Sequence, residues 1–319
     1  MTSTSPPIIP EAEPRRSEAI RDLVKRVERR WVGIRDLVAA VILGLAPAIA
    51  PAAGSAHAQA APKPARIVSL DLCADQLLIE LVERNRIAAV THLAADPADS
   101  AIWEEAKDLP VTRGAAEDVL RYEPDLILAG PFGVAPTVNL LRRLNMNVVT
   151  VPLASDFDGV RAAVRTVAAA VGEEERGEAT IAAFDRRLAL VAAAPQANAP
   201  TAVVYQVGGA VSAGGLADAA LAAAGFRNKA AEYRLTRAGQ VPLELLAASP
   251  PDLLVLTSAA DEYRTVVGDN LRHPVIAALR RQRASIEVPW RLWLCGTPHI
   301  ADAISQLAEA RAAIEARRQ

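Results

Sequence analysis

Residues with reactive side chains are few and widely spaced in this chain. Beyond the N-terminal region the histidines are His92, His273 and His299, and the cysteines are Cys73 and Cys295. The sequence contains neither the HExxH spacing of a zinc protease nor the GxSxG turn of a serine hydrolase. We therefore expect no catalytic residues, no metal site made by the protein and no cofactor. The alternative is an α/β enzyme in which Cys73 or Cys295 works as a nucleophile with His299.

Groups suited to binding are concentrated in the segment PWRLWLCGTPH, residues 289–299. Trp290 and Trp293 offer large rigid faces, and the guanidinium of Arg291 between them can pair with a carboxylate. Phe132 follows a predicted strand elsewhere in the chain. These side chains could line a ligand site. Packing of Trp290 and Trp293 beneath the last helix is the competing interpretation, and the sequence leaves both open.

One unit of sequence occurs twice. Glu117–Gly130 reads EDVLRYEPDLILAG, and Glu244–Thr257 reads ELLAASPPDLLVLT. Each copy predicts a short helix that starts with a carboxylate, a Pro-Asp break and a buried strand. Two copies far apart indicate two similar lobes. The glutamates Glu117 and Glu244 either cap their helices or provide one exposed carboxylate per lobe for docking on a partner's arginines.

Strands and helices alternate around both copies of this unit. Apolar strand-like runs occur at 66–70, 86–91, 147–152, 202–207 and 285–288. This alternation predicts parallel sheets with helices on their faces. Residues 156–193 carry helical patterns without a strand, which predicts connecting helices. The expected organisation is therefore an N-terminal extension with a signal peptide (1–60), an α/β lobe (61–152), connecting helices (153–195) and a second α/β lobe (196–319).

Composition and the N-terminus restrict where the protein works. The net charge of −2 gives no basic surface, so nucleic acid is not an expected partner. Leu37–Ala50 is apolar and uncharged but too short and too broken to span a membrane, as in the core of an export signal. Small residues at 56–60 provide cleavage sites, so we expect a cleaved signal peptide and export to the periplasm; a retained anchor is the alternative. In an oxidising compartment the two cysteines could form a disulfide or stay as two thiols.

Together these segments resemble a known family. The stretches RIVSLDLCADQLLIEL, AEDVLRYEPDLILAG, AGGLADAALAAAGFRNKA, LELLAASPPDLLVL and GTPHIADAI carry the likeness, which covers residues 66 to about 310. They resemble the helical-backbone periplasmic substrate-binding proteins that serve ABC importers of ferric siderophores, haem and vitamin B12. The resemblance implies an α/β fold with two Rossmann-like lobes, each a parallel sheet with flanking helices, joined by a long rigid helix, with the ligand cleft between the lobes. It also implies that Glu117 and Glu244 form salt bridges with arginines of an ABC permease dimer, and we expect a monomer.

The resemblance implies a small-molecule metal chelate as the ligand. The candidate cleft residues are Cys73, His92, Phe132, Arg237, Trp290, Arg291 and Trp293. Arg237 and Arg291 favour an anionic ferric siderophore, and an aromatic content of only 4% disfavours the corrinoid vitamin B12, which we place second. Haem comes third, because neither His92 nor Tyr233 lies in a recognisable axial-ligand motif. A Cys73–Cys295 disulfide would tie the two lobes together. A permease-associated subunit without a ligand is a further alternative.

Overall fold

The computed structural model describes residues 62–192, 198–233, 239–257 and 267–318. The predicted signal peptide and Arg237 lie outside these residues. Residues from Pro62 onward form one compact unit that contains two β-sheets. Within the described part of the chain, no helix combines the length and the apolar character needed to cross a membrane.

The first sheet is entirely parallel, with strand order β3-β2-β1-β4-β5. Its strands are β1 (Ile67–Ser69), β2 (Ile87–Thr91), β3 (Val111–Thr112), β4 (Leu126–Ala129) and β5 (Val148–Thr150). Strand β4 is buried along its whole length, as expected for a central parallel strand covered on both faces. Strand β3 has only two residues and was not predicted, because so short a run carries no periodicity.

Helices cover both faces of this sheet. They are α1 (Leu72–Leu81), α2 (Trp103–Ala106), α3 (Ala116–Leu120) and α4 (Ala135–Arg143), with short 3-10 turns at Arg84–Arg86 and His92–Ala95. Helix α1 contributes Leu77, Leu78 and Leu81 to a core that also contains Ile67 and Leu126 of the sheet. The segment from 92 to 108, between β2 and β3, contains a 3-10 turn and α2.

Two consecutive helices connect the sheets, α5 (Phe157–Val171) and α6 (Glu174–Val191). Asp156 caps α5 by accepting a hydrogen bond from the N–H of Gly159, and Gly172 ends it in the left-handed conformation. The chain reverses there, so the connection is a helix pair rather than one helix. Helix α5 packs against α1, and α6 packs against the last helix.

The second sheet has the strand order β11-β10-β6-β7-β9, with β8 paired to β6. Its strands are β6 (Thr201–Tyr205), β7 (Ala210–Val211), β8 (Arg227–Asn228), β9 (Gly239–Gln240), β10 (Leu253–Leu256) and β11 (Ala284–Glu287). Its helices are α7 (Gly215–Ala223), α8 (Leu243–Ala248), α9 (Pro274–Gln282), α10 (Arg291–Leu294) and α11 (Ile300–Arg318), with 3-10 turns at Val207–Gly209, Lys229–Ala231 and Val267–Arg272. Strands β6, β8, β10 and β11 are parallel, while β7 pairs antiparallel with β6 and β9. The two faces of the sheet are covered by separate apolar cores.

Candidate ligand-binding cleft

The carboxyl end of β1 leads directly into the first turn of α1. Oδ1 of Asp71 accepts hydrogen bonds from the N–H groups of Cys73 and Ala74, both at 3.0 Å, and so caps the helix. Gly130, at the end of the neighbouring β4, allows this approach, because a Cβ there would lie 2.1 Å from Oδ2 of Asp71. The carboxyl ends of β1 and β4, the two central strands of the first sheet, therefore meet at Asp71. Cys73 follows two residues later in the chain.

Cys73 is joined to Cys295 by a disulfide, with the two Cα atoms 5.2 Å apart. Cys295 lies between α10 and α11, so the bond connects the first lobe to the second. In this bonded state neither sulfur is a nucleophile, which removes the thiol required by the alternative of a Cys/His enzyme. The candidate cleft residue Cys73 is therefore present as part of a disulfide.

Two polar contacts continue the junction that the disulfide starts. Oγ1 of Thr297 donates a hydrogen bond of 3.3 Å to Oε1 of Gln76. Nε2 of His299 lies 2.7 Å from Oε1 of Glu80, a contact that is a hydrogen bond when Nε2 carries the proton. Gly296 lies between the disulfide and the contact of Thr297, where a Cβ would come within 2.3 Å of Cβ of Ala154. We call this set of contacts between α1 and residues 295–299 the interlobe seam.

The seam also sets the protonation of His299. Burial acts to lower the pKa of His299, but the hydrogen bond and charge of Glu80, with a smaller effect of Asp302, outweigh it, and the pKa is raised. A pocket of about 370 Å³ lies beside this pair and is also lined by Arg176 and Arg187. Sequence reasoning considered His299 only as a catalytic partner. The sequence feature that indicates the contact with Glu80 is the pair of polar residues Gln76 and Glu80, four positions apart on a helix that is otherwise largely apolar.

Asp75 is a second ionisable group with a shifted pKa, and it is fully buried in the first lobe. Asp75 of α1 accepts hydrogen bonds from the N–H of Thr91 and, at 2.5 Å, from its Oγ1. Burial raises the pKa of Asp75 to about 7, against the lowering effect of the hydrogen bonds from Ser69 and Thr91. Asp75 thereby holds the end of β2, where His92 follows.

The candidate cleft residues of the first lobe are exposed at strand ends. Phe132 follows β4 and keeps 75% of its surface exposed. Leu153, which follows β5 and was not predicted, is 57% exposed. His92 follows β2, is exposed, and has no hydrogen-bond or ion-pair partner within the described residues. The first lobe thus presents apolar surface at the carboxyl edge of its sheet.

The candidates of the second lobe divide between surface and core. Trp290 is half-buried after β11. Nη1 of Arg291 donates a hydrogen bond of 3.2 Å to the carbonyl of Pro97 in the first lobe. Trp293 is only 9% exposed, and its indole N–H donates to the carbonyl of Val288. Trp293 therefore packs in the core of the second lobe, which is the arrangement that the competing interpretation of the sequence describes.

The two glutamates of the repeated unit lie on the surface, one in each lobe. Glu117 is in the first turn of α3 and Glu244 in the first turn of α8, and both are exposed. Neither side chain has an ion-pair partner in the described part of the chain. Neither caps its helix by a side-chain hydrogen bond, since the N-cap residues are Ala115 and Pro242.

The aspartates of the repeated unit have a structural role that the pattern alone did not reveal. Asp125 accepts hydrogen bonds from the N–H groups of Ala65 and Arg66, at 2.7 and 3.0 Å, just before β1. Asp252 accepts from the N–H of Thr201 at 2.8 Å and from its Oγ1 at 2.9 Å, at the start of β6. In each lobe the same carboxylate therefore anchors the first residues of the neighbouring central strand.

The strand order of the first sheet indicates a candidate site in the first lobe. From β1 the chain first adds strands on one side of the sheet (β2, β3) and then on the other (β4, β5), so the strand order changes between β1 and β4. Ligands of such sheets bind outside the carboxyl ends of the strands at that point. Asp71 and Phe132 follow these two strands. Among the described residues, no group of three or more His, Cys, Asp or Glu side chains is placed to hold a metal ion.

A protein-family model described as periplasmic binding protein matches residues 67–280. The chain belongs to the periplasmic binding protein family. The match starts at β1 and ends within α9, so it includes both repeated units and the helix pair between them. Proteins of this family bind solutes.

Sequence comparison finds a cobalamin-binding protein of Halobacterium salinarum, 28% identical over 204 residues. That alignment covers 62% of this chain and 55% of the relative, so the chain spans about half the length of this curated relative.

Among solved structures, the periplasmic heme-binding protein RhuT from Roseiflexus sp. RS-1 superposes with a TM-score of 0.64 at 24% identity, covering 78% of this chain and 98% of RhuT. The periplasmic vitamin B12 binding protein BtuF of Vibrio cholerae gives a TM-score of 0.61 at 18% identity, covering 79% and 98% of the two chains. At these identities the structural likeness establishes the fold.

Proposed function

We propose that the chain is the periplasmic solute-binding component of an ABC importer, which captures a metal chelate and delivers it to the membrane permease. The observation that carries this proposal is the matched pair of exposed glutamates, Glu117 and Glu244, at the same position of the repeated unit in each lobe. Two like charges on similar lobes suit a partner that is itself a dimer with one cationic site per subunit. The protein is exported by its N-terminal signal and works as a monomer.

The docking role predicts a separation of transport from binding. In the variant Glu117→Ala/Glu244→Ala, we expect chelate uptake by cells to fall at least about tenfold, because each lost ion pair with a permease arginine removes a charge-assisted contact. Binding of the chelate by the purified variant should stay unchanged, since neither glutamate is among the candidate cleft residues. Uptake is measured with radiolabelled chelate in cells that lack the native gene.

The matched control is Glu104→Ala/Glu174→Ala, which removes two exposed carboxylates elsewhere on the surface. This control should transport normally. Normal uptake by the Glu117→Ala/Glu244→Ala protein would refute the docking role.

For the ligand, the structural features favour a corrinoid over the ferric siderophore that the arginines suggested. Nη1 of Arg291 is engaged with the carbonyl of Pro97, so this guanidinium is less free to pair with an anionic ligand. Phe132 and Leu153 instead present apolar surface at the cleft edge. A corrinoid has a broad macrocycle with apolar faces, and the curated relative is a cobalamin-binding protein.

Cyanocobalamin should therefore bind the purified protein in a one-to-one complex. Replacement Phe132→Ala should weaken this binding about tenfold, because an aromatic contact with a macrocycle is worth on the order of 1–2 kcal/mol. The control Leu190→Ala removes an apolar side chain that is 86% exposed at the far end of α6, and should leave the affinity unchanged. Isothermal titration with cyanocobalamin, the ferric hydroxamate ferrichrome and haemin distinguishes the ligand classes. Binding of ferrichrome without cyanocobalamin would restore the siderophore assignment.

A further inference from the structure

The interlobe seam has a regular register. Cys73, Gln76 and Glu80 lie at positions i, i+3 and i+7 of α1 and so share one helix face. Their partners are every second residue of the non-helical segment between α10 and α11, namely Cys295, Thr297 and His299. Three successive pairs thus join the lobes along about two turns of helix.

Only the first of the three pairs is fully bonded. Oε1 of Gln76 accepts a long hydrogen bond, while its buried Nε2 has no partner within the described residues. Oε2 of Glu80 is likewise buried without a partner in that part of the chain. The Glu80–His299 pair also depends on protonation of the imidazole. The noncovalent contacts of the seam therefore leave buried polar atoms without hydrogen-bond partners. The disulfide accordingly contributes most of the free energy that holds the seam together.

The position of the disulfide connects the seam to the cleft. Cys73 is in the first turn of α1, two residues after Asp71 at the carboxyl end of β1. Cys295 follows α10, which carries Arg291 and its contact with Pro97 in the opposite lobe. A change in the bond between the cysteines would thus alter the distance between the two walls of the cleft.

We propose that the Cys73–Cys295 disulfide is a redox-sensitive clasp, which keeps the lobes in the binding arrangement and whose reduction loosens the seam and speeds release of the ligand. The part of this proposal that concerns release rests on the proposed function. The loosening of the seam does not depend on it.

The exposure of the two cysteines determines how the clasp opens. Cys73 is half-buried, whereas Cys295 is 2% exposed. A thiolate of a reducing dithiol therefore attacks Sγ of Cys73 and displaces Cys295 as a thiolate. The second thiol of the reductant then attacks the reductant sulfur that is bonded to Cys73, and Cys73 leaves as a thiolate. Two electrons pass from the dithiol, which leaves as a disulfide, and the two cysteine sulfurs take up protons.

Hydrogen–deuterium exchange tests the clasp without any ligand. We compare the oxidised protein, the same protein reduced with dithiothreitol, and the variant Cys73→Ser/Cys295→Ser with and without dithiothreitol. Reduction should speed exchange at least about tenfold in the second half of α1 and in residues 296–304, while β4 in the core of the first lobe remains the slower-exchanging segment. The variant should behave like the reduced protein and ignore dithiothreitol, which controls for other effects of the reagent.

Two results of this experiment overturn the proposal. Unchanged exchange in the seam on reduction would show that the noncovalent contacts suffice. Exchange of the seam as slow as that of β4 in the reduced protein would show that the bond maintains the fold as a whole rather than the junction.

Two further measurements test release and the site of attack. Dissociation of bound cyanocobalamin should be at least about tenfold faster from the reduced protein, and an equal rate in both states would refute redox-dependent release. If the oxidised protein does not bind cyanocobalamin, the proposed ligand fails, and the exchange result still decides the clasp. Partial reduction with glutathione, trapped with N-ethylmaleimide, should place the mixed disulfide on Cys73; its presence on Cys295 would contradict the order of attack.

Discussion

At the scale of single residues, aspartates in similar settings have different energetic roles. Asp125 and Asp252 accept backbone hydrogen bonds at strand starts, where a charged carboxylate is a good acceptor. Asp75 is completely buried, and its pKa of about 7 shows that desolvation outweighs its hydrogen bonds. The same side chain therefore anchors a strand in one place and costs folding free energy at neutral pH in the other.

Relative to the wild type, the variant Asp75→Asn should gain stability as the pH rises from 4 to 8. Between the ordinary carboxyl pKa of 3.8 and the folded pKa of about 7, the unfolded chain has lost a proton that the folded chain keeps, so wild-type stability falls as pH rises. The amide stays neutral and avoids this loss. We expect the difference in the free energy of unfolding between the variant and the wild type to shift by about 2 kcal/mol in favour of the variant from pH 4 to pH 8. Urea unfolding at each pH measures it.

Asp108→Asn is the control for this experiment, because Asp108 is exposed on the same lobe. Its effect should remain within about 0.5 kcal/mol at each pH. An Asp75→Asn effect that does not change with pH would show that Asp75 titrates in the folded protein as in the unfolded chain.

At the scale of elements, the helix pair α5–α6 determines how the two sheets are linked. Arg161 pairs with Asp185 at 2.7 Å and Arg165 with Glu178 at 2.6 Å, so the two helices run antiparallel. These ion pairs are on the exposed or half-exposed side and contribute little. The close packing occurs at Gly177, where an added Cβ would lie 2.5 Å from Cβ of Ala168.

Replacement Gly177→Ala therefore sets two effects against each other. Alanine favours the helix by about 1 kcal/mol over glycine, while a contact this short forces the helices apart at a cost of about 1–3 kcal/mol. We expect a net destabilisation of about 1 kcal/mol, measured by urea unfolding. The added substitution Ala168→Gly should restore part of it, because it removes the other half of the contact.

The exposed position Ala179 of the same helix provides the comparison. Ala179→Gly should cost about 0.5–1 kcal/mol through helix propensity alone. If Gly177→Ala instead stabilised the protein, the two helices would have room to separate.

At the scale of the whole molecule, the chain joins its lobes twice. The polypeptide passes through α5 and α6, and the disulfide closes a second connection between residues separated by 222 positions. The salt bridge between Arg187 of α6 and Asp302 of α11 and the seam support the same arrangement without a covalent bond. The relative position of the lobes therefore depends on both covalent links.

Removal of the disulfide should lower the stability of the whole unit by about 3–5 kcal/mol, since a loop of this length greatly restricts the unfolded chain. Urea unfolding of the oxidised protein and of Cys73→Ser/Cys295→Ser measures the difference. The oxidised protein treated with iodoacetamide, which has no thiol to modify in the disulfide, is the control. Equal stability of the two proteins would show that the sulfurs are not joined in solution, as would two free thiols in the unfolded oxidised protein.

Much of the architecture was predictable from local sequence. The runs DLILA and DLLVL predicted β4 and β10, because central parallel strands are buried on both faces and need continuous apolar residues. Asp71 and Asp156 cap the helices that they precede, and aspartate is a residue type preferred at that position. The repeated unit indicated two lobes, and the family match agrees with that architecture. These features depend on neighbours within a few residues, so the sequence is sufficient to recognise them.

The arrangement of side chains from distant segments was decided only by the tertiary structure. Spacing could not distinguish Trp293, which packs in a core, from Phe132, which is exposed, because burial depends on what the rest of the chain places over each ring. The pairing of Cys73 with Cys295, and the seam that continues it, joins positions more than two hundred residues apart. The sequence by itself determined two α/β lobes with a matched glutamate on each. The fold determined that a covalent bond joins those lobes, since only folding brings the two cysteines within bonding distance.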